Sequence, residues 1–194
     1  MLFLSGPSSR LETVNIPMNK TTATDKRKGF SLIELLIVVA IILIIAAVAV
    51  PNLIRAKIAA NQASAVDSLR TIDSAATNYF NTYGDGYPAT LAVLAGAGVV
   101  SCNASEMVDS TLAAGQKSGY VFNWVVGANQ VANPPAGFPA GYLDMFSVTA
   151  DPFGFPTGTT HYCVDATGVI RQDSAPIVAT TAGCPNSALP IGNE

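Results

Sequence analysis

The sequence feature that most constrains this chain is a long apolar run that follows a basic stretch and carries one carboxylate near its start. Residues 26–28 are Lys, Arg and Lys, Gly29 and Phe30 come next, and Glu34 precedes sixteen consecutive apolar residues, Leu35–Val50. A charged side chain near the start of a helix of membrane length is costly, because lipid solvates it poorly. We therefore expect Glu34 to have a specific function.

The apolar run predicts a membrane-spanning helix. The 25 positions from Phe30 to Ile54 contain four residues that are not apolar, and as a helix they would be about 37 Å long, against a hydrocarbon core of about 30 Å. A secretory signal peptide is the alternative, with an apolar core of about 7–15 residues and a small-residue cleavage site. Residues 46–49, Ala-Ala-Val-Ala, resemble such a site. Glu34 and the helical pattern that continues beyond the run argue against this alternative.

That continuation predicts an amphipathic helix up to Tyr83. Arg70 lies three residues from both Asp67 and Asp73 on the polar face, a spacing at which opposite charges meet. Pro51 lacks a backbone donor, so we expect a kink or a locally loosened helix there. The apolar side chains that recur at steps of three and four, and that should face a core, are Val66, Leu69, Ile72, Ala76, Tyr79 and Tyr83.

After Tyr83 the pattern changes to short helices and then strands. We predict short helices at 88–95 and from Asn103 to Gly115, the second with a capping box formed by Asn103 and Glu106. Strands are predicted at 120–126, 142–150, 161–165 and 169–171, with a Gly/Pro-rich loop at 127–141 and a hairpin turn at 165–168. Strands that follow helices indicate an α+β fold, in which the long N-terminal helix packs on a small antiparallel β-sheet.

The predicted organisation has four parts. Residues 1–29 form a leader, for which Met18 is the favoured true start, and residues 30–54 form the hydrophobic transmembrane helix. Residues 55–83 are the amphipathic half of the same helix. Residues 84–194 form a globular α+β head with a flexible C-terminal tail from about Ser174.

Composition argues against nucleic-acid binding and against catalysis. From Phe30 onward the chain has eleven acidic and five basic residues, a net charge of −6, which is a poor match to a phosphate backbone. The sequence contains no phosphate-binding Gly-rich loop, no HExxH and no nucleophile elbow. We therefore predict no enzyme activity, no catalytic residues and no cofactor.

The three cysteines, Cys102, Cys163 and Cys184, permit one internal disulfide at most. If the head is exported, an oxidised pair is reasonable. We favour Cys163–Cys184, which would close a short C-terminal loop, and the other pairings stay open. A zinc site with His161 is disfavoured because the chain has one histidine and no CxxC pair.

Other residues that could carry chemistry have simpler interpretations. His161, alone on a predicted strand, is better explained as structural than as a catalytic base. Asp144 and Asp151 could bind calcium, but turn formation and solvation explain them better. Two groups of aromatic residues are explained by packing: Tyr120, Phe122 and Trp124 on a strand, and Tyr79, Phe80, Tyr83 and Tyr87 near the end of the helix.

The segment from Lys28 to Pro51 resembles type IV prepilins and the related pseudopilins, since its glycine, aromatic, glutamate and proline all fall where that family has them. The resemblance implies cleavage after Gly29 by an inner-membrane prepilin peptidase and methylation of the new amine on Phe30. It also implies assembly roles for Glu34 and Pro51. The Gly119–Phe122 and Tyr162–Arg171 segments look like those of small bacterial pilins, in which a disulfide-closed C-terminal loop such as Cys163–Cys184 is common. A third cysteine and residues 1–17 depart from the pattern.

The function implied is a structural subunit of a type IV pilus, a helical homopolymer held together by the apolar helices. A carboxylate in lipid is stabilised by an opposite charge, and the Phe30 amine of the same or a neighbouring chain would supply it. The alternative for Glu34 is a solvated position at headgroup level. The precursor would lie in the inner membrane with its basic leader in the cytoplasm. The assembled subunit would lie in a surface pilus. Its partners would be the prepilin peptidase and the assembly machinery.

Two alternative functions remain open at this point. One is a pseudopilin of type II secretion, in a short periplasmic pseudopilus. The other is a minor pilus subunit that acts as a binding or adhesion module. An anchored enzyme is a third class, but the sequence offers no site for it.

Overall fold

The N-terminal helix is the longest element of the fold. The computed structural model describes residues 29–83, 86–96, 101, 103–127, 130–131, 142–143 and 145–192. Helix α1 runs from Leu32 to Tyr83, with Pro51 inside it and helical backbone on both sides. The proline therefore does not end the helix, and the bend expected there stays a prediction.

By its internal contacts the chain divides within α1, between Leu43 and Ile44. The described part of the first unit, residues 29–43, consists of the start of α1 and the residues that precede it. The second unit, Ile44–Glu194, contains the rest of α1 and every described strand. The hydrophobic core described below lies entirely in the second unit.

The strands of the second unit form an antiparallel sheet. Their bounds are β1 Gln116–Lys117, β2 Tyr120–Val126, β3 Gln130–Val131, β4 Tyr142–Leu143, β5 Phe146–Pro152, β6 His161–Asp165, β7 Arg171–Asp173 and β8 Leu189–Pro190. Six of them are ordered β1-β2-β5-β6-β7-β8, and β3 and β4 form a separate two-stranded ribbon. Strands β2 and β5 pair along their whole length, from Tyr120 opposite Pro152 to Val126 opposite Phe146. A long helix followed by an antiparallel sheet confirms the predicted α+β class.

The second half of α1 packs on this sheet. Leu69 and Ile72 of the helix are fully buried in one cluster with Tyr120, Phe146 and Val148 of the sheet. Full burial of a large apolar side chain contributes about 1.5–3 kcal/mol, so a few such residues hold the helix in place. Of the predicted core-facing residues, Leu69, Ile72, Ala76 and Tyr79 are buried, and Val66 and Tyr83 are partly buried against the same cluster.

Aromatic rings fill the space between the end of α1 and the sheet. Phe146 stacks on Trp124 with ring centroids 4.9 Å apart and contacts Tyr87 at 4.6 Å. Tyr87 in turn contacts Phe80 at 5.1 Å. These contacts agree with the interpretation of both aromatic groups as packing residues.

The short helices differ from the prediction. The helix expected at 88–95 is one 3-10 turn, Leu91–Leu94, and the helix expected from Asn103 begins only at Ser110, as α2, Ser110–Ala113. The Asn103–Glu106 capping box is wrong, because Asp109 is the N-cap and its Oδ1 accepts from the Leu112 N–H at 2.9 Å. A cap is chosen by which side chain reaches the free amides, and in this fold it is Asp109, further along the chain than Asn103, whose side chain does so.

The C-terminal strands also differ in their limits. The predicted strand 142–150 is divided into β4 and β5, which belong to different sheets. The strand predicted at 169–171 is β7, Arg171–Asp173, and the turn at 165–168 joins it to β6 as expected. Most of the predicted 127–141 loop lies outside the described residues, but Gln130–Val131 is strand β3. The segment expected to be a flexible tail contains β8, and Ile177 and Ala188 within it are buried.

Candidate processing and assembly site

The predicted cleavage bond lies between Gly29 and Phe30, immediately before α1. Both residues are exposed and non-helical, and Phe30 is 83% exposed. Among the described residues, no heavy atom beyond the adjoining residues lies within 4 Å of the position that a Gly29 side chain would occupy. The described residues therefore leave this bond sterically open to a peptidase. The basic residues 26–28 lie outside the described residues.

Glu34 caps the first turn of α1. Ser31 is the N-cap residue, since the helix starts at Leu32 and the Leu35 N–H donates to the Ser31 carbonyl at 3.2 Å. Glu34 Oε2 accepts from the Ser31 backbone N–H at 3.2 Å. This bond is one half of a capping box, and the carboxylate also lies at the positive end of the helix dipole. Sequence reasoning missed the cap, although Ser31 followed three residues later by glutamate is its signature.

The cap fixes where the carboxylate lies without using up its bonding capacity. A carboxylate has about four acceptor positions, and the Ser31 N–H fills one of them. Cleavage after Gly29 would place a new amine on Phe30, the residue directly before Ser31. Glu34 is thus held at the end of the helix at which that charge would arise.

The segment that follows is apolar on every side and covered by none of the described residues. Each of its sixteen large apolar side chains from Phe30 to Leu53 is at least 46% exposed. In the described part of the chain, α1 is the one helix long and apolar enough to cross a membrane, with a mean hydropathy of 3.3 in its apolar window and none of that window buried. A helix that is hydrophobic all round requires lipid or other helices around it.

The C-terminal loop is tied to the sheet by a disulfide and by a buried carboxylate. Cys163 and Cys184 form the disulfide, with their Cα atoms 6.0 Å apart. Asp165, 6% exposed, accepts from the Thr167 N–H at 3.0 Å and from the Cys184 N–H at 2.9 Å. Burial alone would raise the pKa of Asp165. The hydrogen bond from the Thr167 hydroxyl, the two N–H bonds and the charge of Arg171 together lower that pKa below its usual range.

A second carboxylate, Asp73 of α1, is near enough to Asp165 to be affected by its charge. Burial, and then repulsion from Asp165, raises the pKa of Asp73 above its usual range. The sequence placed Arg70 beside both Asp67 and Asp73, and in the structure Arg70 pairs with Asp67 at 3.0 Å on the exposed face. The ionised form of Asp73 is therefore unfavourable in the fold.

The remaining candidate residues form structural contacts. His161 Nδ1 lies 2.6 Å from Asp151 Oδ1, and Asp151 Oδ2 accepts from Asn123 and Thr149. Asp151 thereby links β2, β5 and β6. No group of three or more His, Cys, Asp or Glu side chains among the described residues could hold a metal ion. Asp144 and Cys102 lie outside the described residues.

Comparison with known proteins finds a sequence motif and a pilin relative. Residues 24–50 match the prokaryotic N-terminal methylation motif. Over 56 residues the chain is 43% identical to the type IV major pilin protein PilA of Myxococcus xanthus strain DK1622, a match that covers 29% of this chain and 26% of that protein. The chain thus aligns with about a quarter of this relative's length. No solved structure matches the chain. The N-terminal segment, with Gly29, Phe30, Glu34 and the apolar start of α1, therefore carries the prokaryotic N-terminal methylation motif, in a chain that is similar over 56 residues to a type IV major pilin.

Proposed function

We propose that this chain is a structural, non-enzymatic subunit of a type IV pilus, made as a membrane-anchored precursor and polymerised through its N-terminal helix. One observation carries the proposal: the segment that matches the methylation motif is also the segment whose apolar surface is left uncovered. Such a surface requires lipid before assembly and other copies of the same helix after it. Contacts that do not close on themselves propagate as a helical fibre.

Processing is the first step of this function. The prepilin peptidase cuts after Gly29, and the new Phe30 amine is methylated. The exposed, non-helical backbone at Gly29 and Phe30 supports this step, because a bond inside a helix would have to unwind first. Removal of the leader also removes the three basic residues 26–28, which hold that end in the cytoplasm. The chain is then free to leave the membrane.

Assembly depends on the charge of Glu34. Within a bundle of apolar helices a lone carboxylate is unfavourable, and the Phe30 amine of a neighbouring subunit is the cation available to it. The two charges meet only when the subunits are in the correct register, so the pair selects the register. The cap on Ser31 supports this role, because it orients the carboxylate toward the end of the helix before any neighbour arrives.

A surface pilus is favoured over a type II secretion pseudopilus because the relative matched over 56 residues is a major pilin. The disulfide of the C-terminal loop suits either place, since disulfides form in the periplasm as well as outside the cell. Electron microscopy of cells that express the chain distinguishes the two. Long surface fibres that contain the chain are expected, and periplasmic polymers without surface fibres would identify a pseudopilin.

Mass spectrometry of the mature protein tests processing. The expected N-terminus is a methylated Phe30. A mature chain that begins at any other residue would refute the cleavage that we propose.

Two substitutions at Glu34 separate its charge from its cap. Glu34→Gln keeps an oxygen that can accept from the Ser31 N–H but removes the charge, and Glu34→Ala removes both. An unpaired amine in an apolar interface costs about 3–5 kcal/mol, so the filament yield of both variants should fall more than about tenfold. Membrane insertion and cleavage, measured on the same cells, should be unchanged. Normal filaments from Glu34→Gln would show that capping, and not charge pairing, is what assembly needs.

A further inference from the structure

A loop of the head carries exposed phenylalanines beside the end of the membrane-length segment. The phenylalanine loop, residues 153–160, joins β5 to β6. Phe153 is 60% exposed and Phe155 is 78% exposed, which makes them the two most exposed phenylalanines of the described residues beyond the apolar segment. Transfer of a side chain of this size out of water is worth about 1.5–3 kcal/mol. Contact of these two side chains with an apolar partner would therefore be favourable.

The loop is held in place by hydrogen bonds. Asn61 Nδ2 of α1 donates to the Thr157 carbonyl at 2.8 Å, and Gln62 Nε2 donates to the Thr160 hydroxyl at 3.1 Å. At the start of the loop the Phe153 N–H donates to the Gly119 carbonyl at 3.0 Å. These anchors join residues far apart in the chain, so the phenylalanines are presented at a defined place.

Phe155 lies at the edge of an apolar groove. The groove has a volume of about 360 Å³ and is lined by Val50, Pro51, Ile54, Arg55, Ile58 and Phe155. Arg55 is its one charged residue, and Lys57, also exposed, is two positions further on. The groove thus combines apolar walls with one cation, Arg55, and none of the residues that line it is acidic.

The position of the groove along α1 coincides with the level at which a membrane-spanning helix leaves lipid. A hydrocarbon core of about 30 Å is crossed in about 20 residues, and a span that starts with α1 at Leu32 ends about Pro51. Arg and Lys side chains at such a place extend their charges to lipid phosphates while their stems stay in apolar surroundings. Apolar side chains beside them enter the boundary between headgroups and acyl chains.

We propose that the phenylalanine loop and the groove beside it dock on phospholipid in the membrane-inserted chain. Phe155 enters the boundary between headgroups and acyl chains, and Arg55 and Lys57 contact the phosphates. The head is thereby seated on the membrane surface before assembly. This inference rests on the membrane-inserted precursor of the proposed function and does not depend on polymerisation.

Tryptophan quenching by brominated lipids tests the proposal. The full chain is reconstituted in phosphatidylcholine–phosphatidylglycerol vesicles whose acyl chains are brominated close to the headgroup. Phe155→Trp places a reporter in the loop, and Val178→Trp is the matched control, because Val178 is 75% exposed on the C-terminal loop. Leu43→Trp, near the middle of the span, reports insertion of the apolar segment through its quenching in a second set of vesicles, whose acyl chains are brominated near their ends. The parent chain supplies the baseline of its one native tryptophan, Trp124.

The expected result is a blue-shifted Phe155→Trp emission that loses most of its intensity in brominated vesicles, while the Val178→Trp emission does not change. Equal, weak quenching at the two positions, with Leu43→Trp quenched, would overturn the docking proposal and leave membrane insertion intact. An unquenched Leu43→Trp would overturn both. The Phe155→Trp emission could instead shift to the blue only at high protein density and without quenching. That result would identify a second copy of the chain as the occupant of the groove and would refute lipid docking.

Discussion

Substitution of Asp165 by asparagine tests whether one buried carboxylate joins the β6–β7 turn to the C-terminal loop. One oxygen of Asp165 accepts from Thr167, and the other accepts from the Cys184 N–H at 2.9 Å. Asparagine has nearly the same shape but one acceptor oxygen. Whichever way its amide is turned, an NH₂ group faces an N–H donor.

The magnitude follows from the bonds that are lost. A hydrogen bond to a charged group contributes about 1.5–3 kcal/mol, and a buried donor left without a partner costs about 1–3 kcal/mol. The pKa of Asp73 is raised chiefly by burial and also by repulsion from Asp165. Removal of the Asp165 charge relieves that repulsion, and the relief offsets part of the lost stability. We expect Asp165→Asn to lower the free energy of unfolding by about 2–4 kcal/mol.

Trp124 provides the assay. It is the one tryptophan of the chain, and it stacks on Phe146 in the sheet, so its fluorescence reports unfolding of the head. Urea titration of the full chain in mild detergent micelles gives the free energy of unfolding by linear extrapolation. Asp67→Asn is the matched control, because its pair with Arg70 is exposed and is worth less than about 1 kcal/mol.

The pH dependence gives an independent check. The pKa of Asp165 is lower in the folded chain than in the unfolded one, so its stabilisation is complete above the unfolded value, about 4, and is lost as the pH falls through the folded value. The difference between the parent chain and Asp165→Asn should thus be constant near neutral pH and should shrink below about pH 4. A loss no larger than that of Asp67→Asn would refute the structural role of Asp165.

Two further changes in the head have predicted effects in the same assay. Asp73→Asn should raise the urea midpoint near neutral pH, because burial and the Asp165 charge raise the Asp73 pKa and so make its ionised form unfavourable in the fold. This gain should vanish as the pH falls to about 4, where Asp73 becomes protonated in both states. An unchanged midpoint at pH 7 would contradict the prediction. Cys184→Ser should lower the free energy of unfolding by about 3 kcal/mol, since it opens a loop between cysteines 21 residues apart. Reduction of the parent chain should reproduce that loss.

Much of this protein could be predicted from short-range sequence patterns. The apolar segment and the core-facing positions Leu69 and Ile72 follow from composition and spacing within a few turns of helix, and the motif around Gly29 and Phe30 was identified by its resemblance to type IV prepilins. The cap of Ser31 by Glu34 belongs with them, because the two residues are three positions apart. The limits of the short elements were less predictable, as with α2, because competing caps and turns differ little in local free energy.

What the sequence by itself determined is thus the membrane-length helix and its processing motif, because each depends on residues that are neighbours along the chain. Only the tertiary structure decided that Asp165 bonds to Cys184, 19 residues away, and that Asn61 holds Thr157, 96 residues away. Such contacts depend on how the chain closes long loops around the core. No local pattern encodes them. The bond from Asn61 to Thr157 holds the phenylalanine loop beside α1, and the bond from Cys184 to Asp165 ties the C-terminal loop to the sheet.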